Sequence, residues 1–297
     1  MPRFFDILKN VLGEDLTKSI RPIGHGLKGY LASYQSGFPA RKLKLIGITG
    51  TKGKTSTTVL SGRLLNLAGI KTGYLSTAVV SNDGIRANET LNKYKMTSID
   101  AFAMHRELAN MVSNGCEYAI IEMSSEGLKQ NRHWGLFGFD EVVFLNIYPE
   151  HLESHGSFAK YLQAKSILFK HVKPTGKLIA NGENDMANHT STMIGAIGSS
   201  YRSTINQTLI QDGKQYKIID NPEQMFKSIE LEGKQFKAKA LATFEITNLA
   251  YAFAILKDIN ISKAQEILNN SDFCQIISDI PGRMEWIVKE NILVFKD

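Results

Sequence analysis

Cysteine is nearly absent. The two thiols, Cys116 and Cys274, lie far apart in a chain of 297 residues with no CxxC or Cys/His spacing. Neither a disulfide framework nor a thiolate metal site is indicated, and a reducing compartment, the cytoplasm, is expected. No apolar run is long enough to span a bilayer, and no long apolar segment with a small-residue cleavage site opens the chain, which argues against secretion. Internal repeats and low-complexity tracts are missing. So is the interleaving of aromatic and basic residues that a nucleic-acid binder needs, and only the N-terminal segment is basic. What is present is 43% hydrophobic and 22% charged, enough for one large core or two modest ones.

Positive charge is unevenly spread. Residues 1–44 hold eight Lys or Arg against three acids (8 − 3 = +5), and the whole chain is only +6. In that leader Phe4, Phe5, Leu8, Val11 and Leu12 have helical spacing, "RPIGHGLKGY" reads as turn-rich and "SGFPARK" as a break. Segment 1–40 is therefore taken as a basic leader, too short for a domain. Its charge suits anionic partners such as nucleotide-sugar phosphates, lipid head groups or nucleic acid, and the plainer reading is a solvated tether.

From residue 41 the pattern alternates. Apolar runs "LKLIGIT", "GYLST", "YAIIEMS", "EVVFLNI" and "GKLIANG" read as strands, with helices over 54–67, 99–112 and 157–171 between them. Alternation of this kind implies an α/β fold with a mostly parallel sheet flanked by helices. Residues 201–240 read as a small antiparallel β excursion. Helices return at "FEITNLAYAFAILKDI" and "SKAQEILNN", and "RMEWIV" and "NILVFKD" are two strand-like runs around a turn.

The stretch that carries chemistry is "GITGTKGKTST", residues 47–57, between an apolar strand and a helix. In such a P-loop arrangement the backbone amides of Gly50, Thr51, Lys52 and Gly53 and the helix start cradle phosphate. Lys54 adds a cation, and the Thr55 hydroxyl can ligate Mg²⁺, with Ser56 in the same turn. The strict GxxxxGK[ST] spacing would put its first glycine at Ile48, so the loop is a variant. Glu122 ends an apolar strand on the side where ligands bind in parallel sheets, a natural partner for Mg²⁺ shared with Thr55.

The loop resembles the GTxGKT element of the Mur ligase family, and the resemblance continues through 41–297, the central ATP-binding domain. "IIEMSSEGLKQNR" resembles E-x-S-S-H-x-L-x-x-x-R, with Glu126 where histidine is usual. "NIYPEHLESHG" resembles N-x-x-x-D-H-L-D-x-H-G, with Glu150 in place of aspartate. "EITNLAYA" and "PGRMEWI" resemble two further nucleotide elements, with Glu245 in place of the first asparagine.

The match implies roles residue by residue. Asn146 and Asn248 would contact adenine. His151 and a CO2-carbamylated Lys165 would serve a second Mg²⁺. Arg283 would reach the phosphates and Asp297 the ribose. "MTSIDAF" and "SSEGLKQNR" resemble the MurE type, in which Thr97, Ser98, Ser124, Gln130 and Arg132 would hold UDP-N-acetylmuramoyl-L-alanyl-D-glutamate. The implied reaction in peptidoglycan precursor synthesis moves the γ-phosphoryl of ATP to the acceptor carboxylate, and the amine of an incoming amino acid then displaces phosphate to form an amide. Lys54, Lys165, His151 and Arg283 would carry it. The family also implies an N-terminal UDP-binding domain, here reduced to the leader, and a C-terminal amino-acid-binding domain beyond Asp297, so that this chain by itself is not expected to complete ligation. Three other readings stand beside it: a folylpolyglutamate synthase-like or other Mur-type ligase, a non-catalytic nucleotide-binding module kept open by Glu126, Glu150 and Glu245, and a generic P-loop kinase or GTPase, against which the lack of an NKxD motif counts.

Overall fold

The computed structural model describes residues 14–195, 206–210, 214, 216–219, 228–237, 243–270, 273, 280–281, 285–289 and 292–296. Strand β1 (Lys44–Thr49) lies between β5 (Tyr118–Glu122) and β6 (Phe139–Phe144) in an eight-stranded sheet of order β4-β3-β2-β5-β1-β6-β7-β8. The outer strands are β2 (Thr72–Leu75), β3 (Val79–Ser81), β4 (Thr90–Leu91), β7 (Val172–Asn181) and β8 (Asn206–Ile210). All pairings from β2 to β8 are parallel, and β3 and β4 extend one edge antiparallel.

The central strands are apolar along their whole length because both faces are covered. Alternate residues divide between two cores. Ile46, Ile48, Ile120 and Val143 pack on one face, and Leu45, Ala119, Ile121 and Val142 on the other. Helices α2 (Lys54–Leu67) and α8 (Thr243–Ile259) cover the first face. Helices α3 (Ala101–Ser113) and α6 (Phe158–Lys170) cover the second.

A separate antiparallel sheet joins β9 (Lys217–Ile219), β10 (Ser228–Leu231) and β11 (Lys234–Lys237) in the order β11-β10-β9, in line with the expected excursion. One part of that stretch departs from expectation: β8 is a parallel edge strand of the main sheet. Helix α9 (Ile261–Ile267) follows α8, and β12 (Glu285–Lys289) pairs antiparallel with β13 (Ile292–Lys296). Among the described residues three α-helices were not foreseen, α4 (Ser125–Lys129), α5 (Leu152–His155) and α7 (Asn184–Gly195), nor were the short 3-10 turns Pro39–Arg41 and Arg86–Asn88.

The leader requires the largest correction. "RPIGHGLKGY" is not turn-rich; it lies inside a 22-residue helix, α1 (Glu14–Gln35), with Pro22 within it. Nor is this part a solvated tether. Ser33 Oγ donates to the Gly135 carbonyl (3.1 Å), Asn131 Nδ2 donates to the Pro22 carbonyl (3.3 Å), and the rings of Tyr30 and Trp134 lie 5.7 Å apart. The glycines that look like turn signals form the contact face. A Cβ on Gly29 would sit 2.2 Å from the Trp134 carbonyl oxygen, so only glycine allows the helix this close. The helical spacing at Phe4–Leu12 and the thiol of Cys274 lie outside the described residues. Among the described residues no helix is long and apolar enough to cross a membrane.

Candidate active site

The loop after β1 turns into α2 at Gly53, which has a left-handed φ of 82°. A Cβ there would approach Asn248 Oδ1 to 2.5 Å, a second reason for glycine. The α2 ladder starts at Thr57 N, which donates to the Gly53 carbonyl at 2.8 Å. The amides before it are the ones an anion takes at a helix start. Asn146, at the end of β6, holds the loop: its Oδ1 accepts from Thr51 N (3.1 Å) and Lys52 N (2.9 Å), and its Nδ2 donates to the Lys52 carbonyl (3.2 Å). Asn248, on α8, accepts from Thr57 Oγ1 at 3.1 Å. Both asparagines assigned to adenine by resemblance thus support the loop and first turn, and Ser56 is half-buried in that turn.

Two charged groups are buried beneath the loop. Lys165 is 1% exposed and donates to the Gly50 carbonyl at 2.7 Å, and its Nζ stands 4.7 Å from the centre of the Tyr161 ring. Burial, and then the Lys54 ammonium, push its pKa well below the usual lysine range, while Glu122 and Glu150 oppose the shift. Lys54 Nζ donates to the Thr51 carbonyl at 2.8 Å. Glu122 is 2% exposed and accepts from Thr55 Oγ1 (3.0 Å), Thr77 N (2.7 Å) and Thr77 Oγ1 (3.0 Å). A hydroxyl and a carboxylate set together in this way are hard oxygen donors of the kind Mg²⁺ takes alongside phosphate. Among the described residues no three His, Cys, Asp or Glu side chains form a ready-made metal cage.

His151 lies at the exposed rim, in left-handed backbone (φ 58°) at the start of α5, its ring 5.8 Å from that of Tyr161. Glu150 pairs with Lys52 at 3.3 Å. The predicted acceptor residues form one connected patch. The Thr77 and Thr97 hydroxyls are 2.9 Å apart, with Thr97 free to donate because the Thr77 hydrogen goes to Glu122, and the Ser98 and Ser124 hydroxyls are also 2.9 Å apart. Arg132 Nη1 donates to the Ser98 carbonyl (2.5 Å), and its Nε donates to Gln130 Oε1 (2.9 Å). Gln130 Nε2 in turn donates to Glu126 Oε1 (2.6 Å), so the unusual glutamate anchors the patch from its exposed side. Arg283 and Asp297 lie outside the described residues.

Two residues that sequence reasoning missed complete the arrangement. Thr77 links Glu122 to the acceptor patch through Thr97. Tyr161 places its hydroxyl 3.0 Å from Thr51 Oγ1 while its ring lies under Lys165. The signal for Tyr161 was its place one helical turn before Lys165 on the same face. Thr77 had no comparable signal.

The Mur ligase middle domain matches residues 48–256, more than half of the chain. The chain belongs to the Mur ligase family. This Mur ligase chain is 29% identical over 276 residues to the UDP-N-acetylmuramyl-tripeptide synthetase of Borreliella afzelii, a match covering 88% of this chain and 51% of that protein. It thus spans about half the length of the relative. The structure of a UDP-N-acetylmuramoyl-L-alanyl-D-glutamate–2,6-diaminopimelate ligase superposes with a TM-score of 0.67 at 21% identity, covering 91% of this chain and 54% of that one. A mutant of L. casei FPGS, a folylpolyglutamate synthase, reaches the same TM-score of 0.67 at 13% identity, covering 92% of this chain and 72% of that one. The Mur ligase fold is therefore shared by both acceptor classes.

Proposed function

We propose that this chain provides the ATP-binding and phosphoryl-transfer centre of a MurE-type amide ligase acting on UDP-N-acetylmuramoyl-L-alanyl-D-glutamate in peptidoglycan precursor synthesis. The observation that carries the reading is the pair of polar contact sets, Thr55, Glu122, Thr77 and Thr97 beside the phosphate loop and Ser98, Ser124 and Arg132 beyond it, joined through the adjacent residues Thr97 and Ser98. Such an arrangement would set a triphosphate and a carboxylate acceptor side by side, which is what the reaction needs most.

The loop amides and Lys54 bind and orient the β- and γ-phosphates. Arg132, half-buried and planar, suits a carboxylate of the acceptor peptide. Thr55 and Glu122 would hold Mg²⁺ at the phosphates, with His151 and Lys165 toward a second ion; Mg²⁺ supplies charge neutralisation on the transferred group. The γ-phosphoryl passes to the acceptor carboxylate with release of ADP. The amine of the amino acid then attacks the acyl carbon, forms the amide and releases phosphate. Lys165 has the character of an amine that CO2 can carbamylate, since burial favours its neutral form. Arg283 and Asp297 would serve phosphate and ribose, and Asn146 and Asn248 would set the loop against the nucleotide. The amino-acid site would come from the part of the ligase that this chain does not span.

ADP formation by the purified chain with ATP and Mg²⁺, with and without the UDP-N-acetylmuramoyl dipeptide, tests this. ADP release that depends on the dipeptide supports the ligase. Release stimulated equally by a folate acceptor, or tight ATP binding without any acceptor dependence, rejects the assignment.

A further inference from the structure

Helix α1 has two faces, and the function proposed above uses neither. One face, through Gly26, Gly29 and Ser33, lies against Trp134 and Gly135. The other leaves Ile20, Ile23, Leu27, Tyr30, Leu31 and Tyr34 exposed, with Leu27 at 60% and Tyr34 at 69%. Their spacing of three and four places them in one stripe along the helix. A contiguous stripe of this kind is unusual on a soluble surface and marks something that covers it.

The surface around the stripe says what. At the C-terminal end of α1 an aromatic group continues it: the rings of Tyr34 and Phe38 lie 5.9 Å apart, Phe38 and Phe137 6.0 Å, and Tyr30 and Phe137 6.2 Å. The Arg41 guanidinium lies over this group, 4.8 Å from the Phe38 ring and 4.1 Å from the Phe137 ring. Arg21 and Lys28 lie one above the other on one flank, and Lys42 follows Arg41. From Leu16 to Asn82 the sequence holds no Asp or Glu, so beyond the Glu14–Asp15 start of α1 the charge of the segment is positive; Asp100, at the start of α3, is the acid that reaches His25. Aliphatic side chains facing outward, tyrosines at their end and cations alongside are the composition of a helix lying in the interface of an anionic bilayer. A second copy of the chain fits worse. Pairing two such helices antiparallel about their centres sets Lys28 against Arg21, and pairing them parallel sets like against like.

We propose that α1, together with Phe38, Arg41 and Phe137, is a peripheral docking surface for anionic phospholipid head groups, holding the ATP site at a membrane surface without spanning the membrane. Co-sedimentation of the full chain with phosphatidylcholine vesicles, with and without phosphatidylglycerol, tests it. Binding to the phosphatidylglycerol vesicles should be at least about tenfold stronger and should weaken as salt is raised. Leu27→Glu with Leu31→Glu, at exposed positions, should keep the thermal melt and lose about tenfold or more of that binding. Two results would overturn the proposal: wild-type chain that stays in the supernatant at low salt, or a double variant that pellets like wild type. A lipid-independent dimer on size-exclusion chromatography that the double variant converts to monomer would overturn it in favour of self-association. None of these readouts depends on ligase activity, so failure here leaves the assignment of the ATP site standing.

Discussion

The carboxyl and amino ends of the parallel sheet bury the same kinds of groups and treat them in opposite ways. At the carboxyl end, Glu122 accepts from Thr55 and Thr77, and Lys165 donates to the Gly50 carbonyl. At the amino end, Glu141 is 3% exposed, with no hydrogen-bond partner for its Oε1, and its pKa is pushed well above the carboxylate range by burial and then by Asp258. Lys177, beside it in β7, gives its ammonium to the Asp258 carbonyl instead. His133 and His171 share a 2.8 Å contact between ring nitrogens, and burial takes His133 down to about 3. Burial of a charge-capable group therefore does not mark function. The donors gathered around it do, because a buried polar group is costly until its partners are in place.

Substitutions at the carboxyl end should show first in the chemistry. Lys54→Ala should reduce dipeptide-dependent ADP formation by about 100- to 1,000-fold, the loss expected when a preorganised charge is removed from a transferring group. The thermal melt should barely move, since Lys54 is half-buried and donates to a loop carbonyl. Glu122→Gln keeps the shape but not the charge. We expect about 10- to 100-fold weaker Mg²⁺-dependent nucleotide binding by calorimetry, with little change in Mg²⁺-free binding. If Mg²⁺ dependence persists in that variant, the contrast between the two glutamates fails.

How much of this was legible beforehand follows the same division. Helix α2 was expected over 54–67 and spans Lys54–Leu67, because strand, glycines and Lys-Thr are local signals. Glu122 was found because it ends an apolar strand. Thr77 was not, because its role depends on β2 lying beside β5, a contact between distant segments. The docked helix α1 was misread for a related reason: Pro22, Gly24, Gly26 and Gly29 are turn signals by propensity, and only the Trp134 surface makes glycines the right residues for a helix there. Glu141 stood unremarked at the start of "EVVFLNI", since an acid that opens a strand is ordinarily solvated and only the tertiary packing beside Lys177 and Asp258 buries it.

The buried histidines, His133 before β6 and His105 one turn into α3, should respond in stability, and first to acid. His105 is fully buried, and desolvation lowers its pKa from 6.5 to about 4. A histidine whose folded pKa is depressed binds fewer protons in the native state than in the unfolded one. Native stability is then full above 6.5 and declines as pH falls from there toward the folded values near 4 for His105 and 3 for His133. Urea titrations at pH 7.5 and 5.5 should show that loss, and His105→Phe should reduce it by about 1 kcal/mol.

Glu141→Gln should act with the opposite sign. The folded pKa of Glu141 is raised, so its native carboxyl holds a proton that the unfolded chain gives up above about pH 4.3. Keeping that proton costs nothing below the unfolded value and more with each step of pH above it, until the folded pKa is passed. Glutamine has the shape of the protonated acid and no proton to lose. The variant should match wild type near pH 4.5 and become more stable than wild type by about 1 kcal/mol or more at pH 8, read as a higher melting midpoint. The same change at Glu122 should give no such pH-dependent gain, because there a neutral amide loses one of the two carboxylate oxygens that the Thr55 and Thr77 donors share. Equal stabilisation of both variants at pH 8 would mean that the hydrogen-bond donors at the carboxyl end do not distinguish the two buried glutamates after all.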